Sequence, residues 1–164
     1  MKDSKESTGL SRREFIKATG VACAAFFMAG TVPGLLKPAL AAEEKEDIKD
    51  VLKKFFGDRK IETGHVDLKV PIIAENGAVV PITVTSDLPM TPDNYVKKIY
   101  VFAEGNLRPF TASMELTPAN GKAELALRIK MRQTSDVRAV VETNTGKLYQ
   151  GSKPVKVTIG GCGG

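Results

Sequence analysis

The chain has 164 residues, 42% apolar and 26% charged, with no tryptophan, which fits one globular domain of ordinary composition. Its formal net charge of +5 falls to about +2 once residues 1–42 are set aside, because Lys2, Lys5, Arg12, Arg13, Lys17 and Lys37 there face only Asp3, Glu6 and Glu14. That leaves no clustered basic stripe with interleaved aromatics, and so no case for nucleic-acid binding; a single histidine, His65, excludes multi-histidine metal sites.

The N-terminal segment reads as an export signal. Ser11-Arg12-Arg13-Glu14-Phe15-Ile16-Lys17 is a paired-arginine run, followed by a weakly hydrophobic stretch from Ala18 to Leu36 and by the small-x-small triplet Ala39-Leu40-Ala41. This order resembles a Tat signal, a receptor-read address rather than an anchor. Pro33 and Gly34 interrupt the apolar run, which falls short of the roughly 20 residues a membrane helix needs. The expectation is a signal peptide over 1–42, cleaved near Ala41 or Ala42, and a periplasmic mature protein. The alternatives are an uncleaved anchor, a basic helix of a cytosolic protein, or a lipoprotein box at Gly20-Val21-Ala22-Cys23. That box lacks the usual leucine three positions before Cys23, and the apolar stretch mostly follows the cysteine.

The mature chain opens on a charged segment with Ile48, Val51, Leu52, Phe55 and Phe56 at spacings of three and four. These predict one helix over roughly 44–56, stopped by Gly57 and packed through its apolar stripe on the rest of the domain. From His65 onward the period becomes two. Val66, Leu68 and Val70 alternate with polar residues, and Asn76-Gly77 between Ile72-Ile73-Ala74 and Val79 to Val84 is a hairpin signal. Tyr95 to Ala103 is the next strand, and Phe110 to Leu116 and Lys122 to Met131 flank a turn at Asn120-Gly121. Asp136 to Thr143 and Gly146 to Gln150 flank a third turn, at Asn144-Thr145-Gly146, and Val155, Val157 and Ile159 form a last alternating run. Seven or eight short strands with regular turns predict a mostly β domain, residues 43–159: an immunoglobulin-like antiparallel β-sandwich with one short N-terminal helix. The inter-sheet disulfide and core tryptophan of antibody domains are absent, so the kinship is architectural; a small barrel is the alternative.

Residues 160–164 form a flexible arm in this reading, Gly160-Gly161-Cys162-Gly163-Gly164. Once Cys23 leaves with the signal, Cys162 is the sole thiol of the mature chain. An odd cysteine in an exported protein implies intermolecular pairing or a reactive thiol. Little else can do chemistry. Glu62, Asp67, Glu104, Glu115, Glu124 and Glu142 are scattered on polar strand faces, and no acid–base pair stands out among them. His65 reads as a loop residue, and a Cys162–His65 nucleophile–base pair joins opposite ends of the domain sequence. Without a cationic sequence neighbour, the thiol on its arm stays near the free value of about 8.5. Such a cysteine is better suited to being carried into another protein's active site than to working alone. Three extended residues past Ile159 reach about 10 Å.

With these residues in view, the run Val155-Lys156-Val157-Thr158-Ile159-Gly160-Gly161-Cys162-Gly163-Gly164 resembles the carboxyl end of the SoxY family, sulfur-carrier subunits of the bacterial thiosulfate-oxidising (Sox) system. The export signal and the β-rich body match as well. The resemblance implies a non-enzymatic carrier with no cofactor and no metal, sulfur intermediates riding on Cys162, and Gly160, Gly161, Gly163 and Gly164 as the arm. It implies a heterodimer with a SoxZ-like subunit. It also implies a SoxAX-like haem protein that attaches thiosulfate, a SoxB-like hydrolase that releases sulfate and, in many organisms, a SoxCD-like sulfane dehydrogenase. Two rivals stand beside it. One is a ubiquitin-like thiocarboxylate carrier, disfavoured because adenylation needs cytosolic ATP. The other is an exported structural or binding sandwich that dimerises through a Cys162 disulfide.

Overall fold

A computed structural model of the protein describes residues 44–161. The expected export signal with Arg12 and Arg13, and Cys162, Gly163 and Gly164 of the tail, lie outside the described residues.

The helix α1 spans Ile48–Phe56. It starts later than the charge pattern indicated because Asp47 is its N-cap, its carboxylate accepting from the Lys49 amide at 2.7 Å. Gly57, at φ 64°, ends it with an amide bond to the Lys53 carbonyl. Nine strands follow: β1 (Ile61–Thr63), β2 (Val66–Lys69), β3 (Ile73–Asn76), β4 (Val80–Ser86), β5 (Val96–Ala103), β6 (Phe110–Glu115), β7 (Glu124–Ile129), β8 (Ser135–Thr143) and β9 (Leu148–Ile159). They form a six-stranded sheet ordered β1-β9-β8-β5-β6, with β3 also on β9, and a three-stranded sheet ordered β2-β4-β7. The expected immunoglobulin-like sandwich is the fold. Its pairing is antiparallel except that β1 and β3 both run parallel to β9.

The three turn signals had different outcomes. Asn144-Thr145-Gly146 closes the β8–β9 hairpin, with Glu142 opposite Leu148 and Gly146 at φ 82°. Asn76-Gly77 is not a hairpin: β3 pairs with β9, whereas β4 pairs with β2 and β7. A two-residue type I′ turn needs positive φ at both central residues, and neither Asn76 nor Gly77 has it. The chain there crosses from one sheet to the other. Asn120-Gly121 marks a second crossing, from β6 to β7, where a 3-10 turn over Pro118–Asn120 ends on Gly121 at φ 69°.

The last two apolar runs of the sequence are one strand. β9 continues through Pro154 because that residue's missing N–H falls on a vacant edge. The Lys156 amide bonds the Ile72 carbonyl beside β3, so by the period of two residue 154 aims the same way. There β9 is between its partners, β1 ending opposite Gln150 and β3 beginning opposite Lys156.

Two cores result. Leu68, Val80, Ile82, Val84, Ile99, Val101, Val137, Ala139, Val141 and Val155 fill the space between the sheets. On the outer face of the large sheet, Val51 and Phe56 of α1 bury Phe102, Val140 and Leu148, so β5 and β8 are covered on both faces. The predicted helical stripe packs as expected. The rings of Phe55, Phe56, Tyr100, Phe102 and Phe110 add edge and tilted contacts with centroids 4.7 to 6.4 Å apart.

Candidate functional site: the root of the C-terminal tail

The tail leaves the body at the end of β9, and three pieces of chain meet there. The Gly77 amide donates to the Ile159 carbonyl at 2.7 Å, the Met131 amide donates to the Gly77 carbonyl at 2.7 Å, and the Gly161 amide donates to the Met131 carbonyl at 3.0 Å. These backbone bonds link the crossing loop after β3, the chain just past β7, the last residue of β9 and Gly161 of the tail. Gly77, Met131 and Gly161 are all buried, while Gly160 is exposed.

The glycines here are a matter of space. A Cβ on Gly77 would overlap the Met131 carbonyl oxygen and lie 2.8 Å from the Gly161 nitrogen. One on Gly161 would lie 2.7 Å from the Gly77 oxygen and 2.8 Å from the Ala78 nitrogen, and one on Gly160 would overlap the Arg132 oxygen. None of the three has positive φ, so close backbone approach, not a left-handed conformation, requires the missing side chain. The sequence gives Gly160 and Gly161 as arm residues; their packing against the body, and the part played by Gly77, are not visible in it.

Asn106 is a second residue the sequence concealed. Its side chain is 4% exposed, donates to the Lys130 carbonyl at 2.9 Å and accepts from the Arg132 amide at 2.9 Å. It thereby brackets Met131 and fixes the segment whose carbonyl receives Gly161. Thr134 does the same for the end of β9, its hydroxyl accepting from the Val157 amide at 2.9 Å. Around the exit, Ile73, Val79 and Ile159 are all more than half exposed.

His65 is far from this point. Its ring lies edge-on to Tyr149 at a centroid distance of 4.8 Å, and its Nδ1 is 2.8 Å from Asp87 Oδ1. From Tyr149 to Ile159, β9 advances about 33 Å at roughly 3.3 Å per residue, more than three times the reach of the tail past Ile159. The structure does not bring His65 to the tail as a base for Cys162. At φ 58° His65 is also the one non-glycine residue with positive φ among the described residues, which places it as a turn residue paired with Asp87.

The scattered carboxylates each hold a cation. Glu104 meets Arg138 at 2.7 Å, Asp67 meets Lys153 at 3.1 Å, Glu115 meets Lys98 at 3.1 Å, Glu124 meets Lys122 at 2.6 Å and Glu62 meets Lys60 at 3.5 Å. Glu142 is the most elaborate. Arg59 donates to one oxygen at 2.8 Å and the Tyr100 hydroxyl to the other at 2.9 Å. Burial pushes the Glu142 carboxyl up, but the bonds from Arg59 and Tyr100 outweigh it and hold it below the ordinary value. Burial and the bond to Glu142 push the Tyr100 hydroxyl up to about 12. These pairs tie the helix connection and the strands together, and the arrangement is structural.

Comparison with known proteins agrees with this geometry. Residues 52–162 match the family described as sulfur oxidation protein SoxY, and the matched stretch runs to Cys162. The solved structure of the sulfur carrier protein SoxY from Chlorobium limicola f thiosulfatophilum is similar over 69% of this chain and 97% of that one, at 36% identity and a TM-score of 0.58. A superoxide reductase (neelaredoxin) from Ignicoccus hospitalis is similar over 59% of this chain and 94% of that one, at 16% identity and a TM-score of 0.51; at that identity the likeness is one of fold alone. No curated protein matches the chain at a significant level.

Proposed function

The chain belongs to the SoxY family, and from that premise we propose that it is a sulfur carrier whose Cys162 holds the intermediates of thiosulfate oxidation covalently. The observation that carries the reading is that family similarity extends through the sandwich to the sole cysteine of the mature chain. The geometry supports it: the strand that ends the core, β9, hands the tail out at its far end from His65. The body acts as a handle. The chemistry belongs to other proteins.

The steps balance on the cysteine sulfur. A haem-protein partner of the SoxAX kind takes two electrons as the Cys162 thiolate joins the outer sulfur of thiosulfate, forming a cysteine S-thiosulfonate. A hydrolase of the SoxB kind adds water, cleaves the sulfur–sulfonate bond and releases sulfate and two protons, leaving a persulfide. A sulfane dehydrogenase of the SoxCD kind, where present, removes electrons from the remaining outer sulfur as water supplies its oxygens, giving a cysteine S-sulfonate. The hydrolase then adds water across the sulfur–sulfonate bond, releasing sulfate and returning the cysteine to its free thiol; persulfide caps on thiols are likewise reversible. The chain itself catalyses none of these steps, pairs with a SoxZ-like subunit and works in the periplasm after Tat export directed by residues 1–42, which are cleaved off.

Whole-protein mass spectrometry after exposure to a thiosulfate-oxidising extract tests this. Adducts of about 112 Da for thiosulfonate and about 32 Da for persulfide sulfur, mapped to Cys162, are expected. If the disulfide dimer is the sole thiol-dependent species, the alternative reading as an exported binding sandwich replaces it.

A further inference from the structure

We propose that Gly77 is a positioning residue for the carrier arm: with Met131 it holds Ile159 and Gly161 in a backbone clasp, so that the arm pivots at Gly161 and not at Ile159. The proposal rests on the carrier reading for its functional half and on the geometry alone for its structural half.

Three observations carry it. The hydrogen bonds from Gly77 to Ile159, from Met131 to Gly77 and from Gly161 to Met131 link all three pieces of chain in series. A side chain at any of the three glycines would collide with backbone of the clasp, and backbone cannot swing aside as a long side chain can. The pieces come from the crossing loop between the sheets, from the end of β7 in the small sheet and from β9 in the large one, so the anchor is tied to both halves of the sandwich. Asn106 braces its far wall.

The consequence is a shorter, better aimed lever. A tail hinged at Ile159 would sweep Cys162 through a sphere of about 10 Å radius, at roughly 3.3–3.6 Å per residue over three residues. Hinged at Gly161, the cysteine Cα stays about 3.8 Å from a fixed atom. A shorter free lever raises the effective concentration of the thiol at an active site docked beside Gly161. The two halves of the tail then use glycine differently. Gly160 and Gly161 are glycines so that they fit against the body, and Gly163 and Gly164 follow the pivot.

The test uses the full mature chain and the variants Gly77→Ala and Gly161→Ala, with Gly163→Ala as control. Hydrogen exchange at the Gly161 amide reads the clasp. It is expected to be protected in the parent and to exchange about tenfold or more faster in both clasp variants, while Val137 and Val155 in the core stay protected. Iodoacetamide alkylation of Cys162 is expected to change less than about twofold, because a small reagent needs no aiming. With the sulfate-releasing hydrolase as probe, KM for the loaded carrier is expected to rise about fivefold at unchanged kcat; Gly163→Ala leaves the Gly161 amide protected. If Gly77→Ala does not fold, Gly161→Ala carries the test, since it lies past the last strand. An unprotected Gly161 amide in the parent, or protection retained in both variants, overturns the clasp. Faster exchange with an unchanged KM overturns the positioning role. A parent chain that never gains a sulfur adduct sinks the carrier reading instead, and the exchange data still decide the clasp.

Discussion

The side chain of Asn106 accepts a hydrogen bond from the amide of Arg132 at 2.9 Å across 26 residues of sequence, and its other atom donates to the Lys130 carbonyl on the far side of Met131. The two bonds fix which way the amide faces, since one neighbour can only give and the other only accept. Replacing it with alanine removes two hydrogen bonds of a buried side chain and leaves the part-buried Lys130 carbonyl and Arg132 amide without these partners. Asn106→Ala is expected to lower stability by about 1–3 kcal/mol, read as a lower urea midpoint at unchanged slope. Protection of the Gly161 amide is expected to fall with it, because Met131 loses its brace.

That dependence was not legible in the sequence, and the reason is physical. Asn106 sits in the short connection between β5 and β6, where an asparagine reads as turn chemistry. Its role is set by Lys130 and Arg132, which reach it only when the sandwich closes. The alternating runs were legible because burial imposes their period locally: Leu125, Leu127 and Ile129 face in while Glu124, Ala126 and Arg128 face out. The parallel partners of β9 were not, since β1 and β3 are short edge strands held by a neighbour more than 80 residues away. Asn76-Gly77 misled for a related cause. The pair has the composition of a hairpin turn, but Gly77 is glycine because other backbone crowds it.

Glu142 and Tyr100 give the fold a pH signature at both extremes. The Glu142 carboxyl is held below its ordinary value of 4.5, so its contribution is present above that value and is lost as pH falls through the lower folded one. Tyr100, raised to about 12 from 10.0, contributes fully below pH 10 and loses its contribution as pH rises toward 12. Glu142→Gln is expected to cost about 1 kcal/mol at neutral pH, a modest figure because Arg59 is well exposed. It also flattens the acid limb of a stability profile. Tyr100→Phe is expected to flatten the alkaline limb and, because its hydroxyl is one of the bonds that lower the Glu142 carboxyl, part of the acid limb as well.

Phe56 anchors α1 on the large sheet, 3% exposed and edge-on to Tyr100 at 4.9 Å. Phe56→Ala is expected to cost about 3–5 kcal/mol, and the loss of far-UV helix signal should precede that of the strands. A helix of nine residues has little stability of its own. Gly161 exchange should be spared in this variant, because its clasp involves β9, β7 and the Gly77 loop, not the helix.

His65 provides the negative control for any resident base. It is paired to Asp87 and edge-on to Tyr149, about 33 Å of strand away from the tail. His65→Ala is expected to leave the rate and pH dependence of Cys162 alkylation within about twofold of the parent. Stability should change by less than about 1 kcal/mol, because the lost pair is exposed. A large drop in alkylation rate in His65→Ala would contradict the placement and restore the nucleophile–base reading.

Cys162→Ser separates carrier from scaffold. The hydroxyl is nearly isosteric with the thiol but cannot hold a persulfide or form a disulfide. All sulfur adducts and any covalent dimer are therefore expected to vanish from mass spectra and non-reducing gels. The sandwich should not notice: its cores are complete in the residues from Val51 to Val155, and the clasp bonds run through backbone groups up to Gly161. The expected shift in urea midpoint is within about 0.5 kcal/mol of stability, the range of a surface substitution. Loss of cooperative unfolding in Cys162→Ser would mean that the thiol is part of the fold, and a carrier cannot have its cargo site serve as its own keystone.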